Sequence, residues 1–98
     1  MSARPFRLRI APRIARRIAK LHPDVKRRIR DALVDMARAP DAGKPLRDEL
    51  TGQWTWRVGR YRVIYRIVPG GIIDIVTVGE RRTVYEQARL EPGDDNEV

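Results

Sequence analysis

Residues 53–67 read QWTWRVGRYRVIYRI, and the fold turns on how they alternate. Successive side chains of a strand point to opposite faces, with period two. In the first half, Trp54, Trp56 and Val58 share one side, while Thr55 and Arg57 take the other. In the second half, Tyr61, Val63, Tyr65 and Ile67 share a side, opposite Arg62, Ile64, Arg66 and Val68. Gly59-Arg60 supplies a two-residue turn between them, so strands over 53–58 and 61–68 form an antiparallel hairpin. Aromatic and β-branched residues suit a sheet, but nothing about a sheet asks for so much guanidinium. The large apolar sets must face a packed layer. That leaves Arg57 and Arg62 together on the opposite face, Arg66 further along it, and Arg60 in the turn.

Outward from the hairpin, Pro69-Gly70-Gly71 makes a second turn, followed by a strand over 72–78. Near the N-terminus, RPFRLRI (4–10) alternates Phe6, Leu8 and Ile10 against Arg7 and Arg9, the pattern of a half-buried strand. In APRIARRIAKLHP, Ile14, Ile18 and Leu21 fall on one helical face, with Arg13, Arg16, Arg17 and Lys20 on the other. Pro12 suits a first helical turn, and His22-Pro23 ends the helix because the residue before proline resists the α region. A second helix starts at Pro23-Asp24, carries the stripe Val25, Ile29, Leu33, Met36, and breaks in RAPDAGKP (38–45). Two helices joined so tightly pack as an antiparallel hairpin. KPLRDELTG is expected to be an irregular link with Leu46 and Leu50 tucked inward. ERRTVYEQARL (80–90) reads as a last short strand or a turn of helix.

The element order is therefore β-α-α-β-β-β. It implies an α+β fold, with the helical hairpin on one face of a twisted, mainly antiparallel sheet of about four strands and the other face open or concave. Residues 1–90 form one domain, and 91–98 an acidic disordered tail. The chain has 98 residues, no cysteine and no apolar run near 20 residues. That excludes a disulfide framework and a membrane span, and with no secretory signal the expectation is a soluble, cytoplasmic protein.

Charge is the dominant compositional feature. Lys and Arg number 21 against 13 Asp and Glu. The last eight residues, EPGDDNEV, hold four of those acids and no base, so the first ninety carry 21 bases against nine acids, net +12. Such a body repels itself unless something acidic neutralises it. Nucleic acid, an acidic protein, or solvent around a merely basic surface all answer to that description. The Arg57/Arg62 pair leaves a similar choice. Either each arginine is paired with Asp48, Glu49, Asp74 or Glu80, or the pair is a preformed anion site, since guanidinium offers a fixed fork of donors matching phosphate oxygens.

GKPLRDELTGQWTWRVGRYRVIYRI, followed by DIVTVGERRTVY, resembles the RelE/ParE superfamily of bacterial toxins over residues 43–85, and the element order from residue 4 matches as well. The resemblance implies one of two activities. RelE-like members are messenger-RNA interferases acting in the ribosomal A site; ParE-like members poison DNA gyrase without being enzymes. Both are held by a cognate acidic antitoxin in a hetero-oligomeric complex. Carried onto this sequence, the RelE-type catalytic positions are Arg57, Arg62, Arg81 and Tyr85, with Lys44, Arg47, Arg60, Arg66 and Arg82 as flanking RNA and phosphate contacts. Where RelE has a further lysine, this chain has Thr55. Retention of the four catalytic positions favours the RelE-like branch, a metal-independent endoribonuclease without cofactor.

In that chemistry the 2′-OH attacks the neighbouring phosphate, giving a 2′,3′-cyclic phosphate and a 5′-OH. Arg62 and Arg81 would stabilise the phosphorane, Arg57 would neutralise phosphate or assist the leaving group, and Tyr85 would orient or deprotonate the 2′-OH unless it is a core ring. His22 reads as a helix cap or surface residue, and Trp54 and Trp56 as core. No His or Cys pattern with metal-ligand spacing is present. A plain DNA- or RNA-binding module is the third reading, without a helix-turn-helix or RNP-like signature.

Overall fold

Tyr65 sits at the centre of the sheet, fully buried, as the alternation of its strand requires. In the computed structural model, which describes residues 4–90, the elements are β1 (Arg7–Ile10), α1 (Pro12–Ala19), α2 (Pro23–Arg38), β2 (Lys44–Pro45), β3 (Trp54–Val58), β4 (Tyr61–Val68), β5 (Ile72–Glu80) and α3 (Val84–Leu90), with 3-10 turns at Pro40–Ala42 and Asp48–Leu50. The sheet order is β1-β5-β4-β3-β2. β2, β3, β4 and β5 pair antiparallel, while β1 pairs parallel with β5. Among the described residues no helix is long and apolar enough to cross a membrane.

The helices form where the sequence places their signals. Pro12 opens α1, Ile14 is its buried residue, and Arg16 and Arg17 lie in its last turn, where positive charge suits the helix dipole. At the start of α2 the backbone N–H of Asp24 donates to Nδ1 of His22 at 3.1 Å, Pro23 takes the first position, and Asp24 adds a favourable negative charge. Ile29, Leu33 and Met36 are buried from α2. They meet Val58, Val63, Tyr65, Ile73, Ile75 and Val78, with Trp54 and Trp56 partly buried against the same core.

Two features depart from the sequence-based expectation, and one settles an alternative it left open. The sheet has five strands, because Lys44–Pro45 pairs with Trp54 and Thr55 as a two-residue edge. The terminal segment is the helix α3. The second face of the sheet is not open along its middle: Val84 and Ala88 of α3 close a second core there with Leu50, Ile64 and Val76, and Leu46 and Tyr85 pack against it. A register shift between Ile64 and Tyr65 opposite β5 lets Tyr65 pair with Ile75 and Ile64 with Thr77, so Val76 is the extra residue of a β-bulge. The acidic tail, 91–98, lies outside the described residues.

Tyr65 locks the helix layer to the sheet. Its ring stacks on Trp54 with centroids 6.4 Å apart, and its hydroxyl donates to the Pro40 carbonyl at 2.6 Å. A Cβ at Gly43 would collide with the Tyr65 hydroxyl and lie 2.9 Å from the Thr55 carbonyl, so only glycine fits there. Burial pushes the Tyr65 phenol up to about 12. Between about pH 10 and 12 the unfolded chain then releases a proton that the folded chain keeps, and stability falls as pH rises. Tyr65→Phe should cost about 1–3 kcal/mol at neutral pH, because Pro40 O loses its partner. The gap to wild type should narrow by about 2–3 kcal/mol between pH 10 and 12, since the variant lacks this titration. Urea melts across that range measure both effects.

Candidate functional site

The β3–β4 turn decides where the arginines gather. Gly59 takes φ +62°, the left-handed value that a two-residue hairpin with glycine first requires. The register then sets Arg57 directly opposite Arg62, and Arg62 opposite Gly79 of β5. Gly79 has no side chain to offer, and a Cβ there would lie 3.5 Å from Val84 Cβ and 2.6 Å from the movable end of Gln87, so α3 rests on β5 at that point. β5 stays paired with β4 to its last residue, Glu80, and just beyond it Arg81 N–H donates to the Arg60 carbonyl at 2.8 Å. That bond fixes the segment carrying Arg81 and Arg82 against the hairpin end.

These residues surround a hollow of about 770 Å³ at the turn end of the sheet. Its lining, among the described residues, is Val25 and Arg28 of α2, then 57–62, then Glu80, Arg81 and Arg82. Six arginines and one carboxylate line it. Arg62 is half-buried and anchored, its Nη1 donating to the carbonyls of Gly59 and Tyr61 at 3.1 Å each. Arg57, Arg60, Arg81 and Arg82 are exposed. No described carboxylate pairs with any of Arg57, Arg60, Arg62, Arg81 or Arg82; the ion pairs of the described residues lie elsewhere. Of the two outcomes open for the Arg57/Arg62 pair, the structure takes the unpaired one.

Other expected site residues are not brought to the hollow. Arg66 is half-buried four residues further along β4, with Nη2 3.3 Å from Asp74 Oδ2, while Arg9 Nε approaches Asp74 Oδ1 at 3.3 Å. Asp74 is almost fully buried, so Arg66 belongs to a structural ion cluster. Tyr85 lies half-buried against the second core and does not line the hollow. Lys44 and Arg47 are exposed beside the β2 edge, also outside the lining. His22 caps α2. Conversely, Arg28 and Glu80 line the hollow and were not expected as site residues. Arg28 stands on the polar side of α2, and only tertiary packing brings its Nη1 to 3.3 Å from where a Cβ on Gly59 would be. Among the described residues no group of three His, Cys, Asp or Glu could hold a metal ion.

Residues 4–85 match the family described as the ParE toxin of the type II toxin–antitoxin system parDE. The chain is 38% identical over 65 residues to toxin RelG of Mycobacterium tuberculosis, covering 64% of this chain and 75% of that one. Its fold superposes on the toxin–antitoxin complex RelBE2 of M. tuberculosis with a TM-score of 0.71 at 34% identity, covering 79% of this chain and 92% of that chain. A doubly arginine-to-alanine mutant of the E. coli toxin RelE in the free state gives a TM-score of 0.69 at 23% identity, covering 87% and 95% of the two chains; at that identity the likeness is one of fold.

Like charges directly opposite on neighbouring strands are destabilising by a few tenths of a kcal/mol, so the hollow should be relieved by a multivalent anion. Inorganic pyrophosphate at about ten times its dissociation constant should add about 1.4 kcal/mol and raise the melting temperature by several degrees. Arg57→Gln should reduce that rise while leaving the anion-free protein as stable or slightly more so. Thermal melts with and without pyrophosphate, at matched ionic strength, read both.

Proposed function

The chain belongs to the ParE toxin family, within the RelE/ParE superfamily of type II toxin–antitoxin toxins, and on that premise we propose that it is a ribosome-dependent endoribonuclease that cleaves messenger RNA and halts translation. The observation that carries this reading is the hollow at the β3–β4 turn, where Arg57 and Arg62 face each other beside Arg81 and no described carboxylate pairs with them. A phosphodiester undergoing attack gathers negative charge on its non-bridging oxygens, and preorganised donors in place before the reaction lower that barrier most. Arg62 suits the phosphorane best. Its guanidinium is held by two backbone carbonyls, so little reorganisation accompanies charge development. Arg81 projects from the segment tied to Arg60 and completes the clamp. Exposed Arg57 neutralises the phosphate or the departing oxygen, and Arg60, Arg82 and Arg28 hold the flanking backbone.

Such a site is well supplied with charge and poorly supplied with groups that move protons. It depends on alignment of the RNA by something larger, and the ribosome supplies that alignment: orientation alone can contribute a large share of barrier lowering. The partner that restrains the toxin is a cognate antitoxin, as in the M. tuberculosis complex. A body of net +12 suits an acidic one, with association steered by charge.

A second reading, non-enzymatic inhibition of DNA gyrase, is favoured by one observation: the matching family is described by its ParE members. Induction of the toxin followed by primer extension on a translated reporter message separates the two. The nuclease reading expects cuts within the translated message, with Arg62→Ala or Arg81→Ala reducing cleavage on the order of 10²–10³-fold. Intact message at doses that stop growth, with DNA synthesis arrested before protein synthesis, would instead establish the gyrase reading.

A further inference from the structure

Arginines on phosphate position a nucleic acid but carry no sequence information. The hollow has a second side with a different chemistry. Val58 pairs with Tyr61 across β3 and β4, and Tyr61 pairs with Glu80 across β4 and β5. Tyr61 is in step with Val63 and Tyr65, and Glu80 with Val78, so these side chains leave the sheet toward α1 and α2, on the face opposite Arg57 and Arg62. Val25 and Arg28 of α2 stand on the same side, and all five residues line the hollow. We propose that this side is a nucleobase subsite, in which Tyr61 stacks on an RNA base and Glu80 reads its edge and selects guanine, an inference that rests on the ribonuclease reading above.

Position supports it first. A base stands off from its phosphate by the width of the ribose, so its site must adjoin the arginines without containing them. The turn end of the sheet meets that condition. Gly59 and Arg60 form the rim between the two faces, and the Arg62 guanidinium reaches toward that rim, onto the carbonyls of Gly59 and Tyr61. Composition supports it next. Tyr61 is half-buried, packed against the core beneath α1 and α2 yet still lining the hollow. An aromatic ring fixed by core packing and open on its remaining surface suits the stacking of an unpaired base. Its register partners put an apolar side chain on one flank and an acid on the other, since directly opposite residues stand about 4.5–5.5 Å apart at Cβ. Glu80 is exposed and has no hydrogen bond or ion pair with a described residue, so both of its oxygens are free to accept.

The carboxylate decides which base. When ionised it can only accept hydrogen bonds. Guanine alone among the RNA bases presents adjacent N–H donors from its ring nitrogen and its amino group on the Watson–Crick edge, a match for both carboxylate oxygens. Adenine and cytosine set an acceptor nitrogen beside their amino group, and uracil flanks its ring N–H with carbonyls. Those acceptors would meet a negative charge, so Glu80 selects by repulsion as well as by attraction. The same carboxylate weakens attraction for nearby phosphate, so among six arginines it lowers affinity in general while raising selectivity.

The test is single-turnover cleavage of messages on programmed ribosomes, with guanosine, inosine, adenosine, cytidine or uridine placed in turn at each position of the codon being read. Wild type should favour guanosine at one position by about 10–10²-fold in kcat/KM, with inosine, which lacks the amino group, between guanosine and the rest. Glu80→Gln should lose most of that preference, slowing the guanosine message and speeding the uridine one. Tyr61→Leu should slow every message by about 10–10²-fold while keeping the order of bases. Arg62→Ala, the charge control, should slow every message and keep the guanosine preference. Glu80 is exposed, so Glu80→Gln should keep the fold, which circular dichroism verifies, and its result stands whether or not Tyr61→Leu folds. Equal cleavage of all messages by wild type, or an unchanged guanosine preference in Glu80→Gln, overturns the subsite while leaving the nuclease reading standing. Intact message with wild type overturns both.

Discussion

β4 must bury both of its faces, and the rest of the molecule is arranged around that requirement. Ile64 and Tyr65 are consecutive and both fully buried, yet period two sends them into different cores. Tyr65 needs the α1–α2 layer, with the Pro40 carbonyl to receive its hydroxyl. Ile64 needs α3, which the last stretch of chain supplies. The bulge at Val76 adjusts β5 between these two demands, and beyond it the ladder resumes with Val63 opposite Val78 and Arg62 opposite Gly79. The arginine hollow is thus a result of register: a slip of one residue would turn Arg62 toward the helix layer and Val63 out of it.

The hollow itself is a case of local electrostatic frustration tolerated within a stable frame. Ordinary sheet surfaces alternate charges of both signs, and one such cluster exists here, where Arg9 and Arg66 enclose Asp74. At the turn end the same sheet brings arginines together with a single carboxylate. Both arrangements use the same residue types on the same strand, four positions apart. The difference lies in what the neighbouring strand presents: Asp74 opposite Arg66, and glycine opposite Arg62.

Much of this was legible in the sequence. The alternation in 53–67 assigned the Trp and Tyr residues to the helix side and Arg57 and Arg62 to the other, because a strand offers side chains only two directions. Helix limits were legible at Pro12, His22-Pro23 and the break after Arg38, since proline and caps act locally. What could not be read depended on distant partners. Lys44–Pro45 is too short to show a period. VYEQARL carries valine and tyrosine, which favour strands, and becomes a helix because Val84 and Ala88 find a core over Ile64 and Val76. Tyr85, expected in the site, follows that helix into the packing. Arg28 looks like any solvated helical arginine until α2 is docked beside Gly59, and Glu80 looks like a counter-ion until its freedom from pairing is seen.

The parallel pairing of β1 with β5 also governs when the molecule can exist. Arg9 and Asp74 are 65 positions apart, and among the described residues β5 is the one strand β1 touches in the sheet order. Closing so long a loop is an entropic cost met only when the contacts at its end are available, and high contact order slows the search for them. A nascent chain therefore keeps β1 without its sheet neighbour until β5 has been synthesised. For a molecule whose proposed target is the machine that makes it, the arginine hollow waits for the same stretch of chain, because its lining runs on to Arg82, just beyond β5.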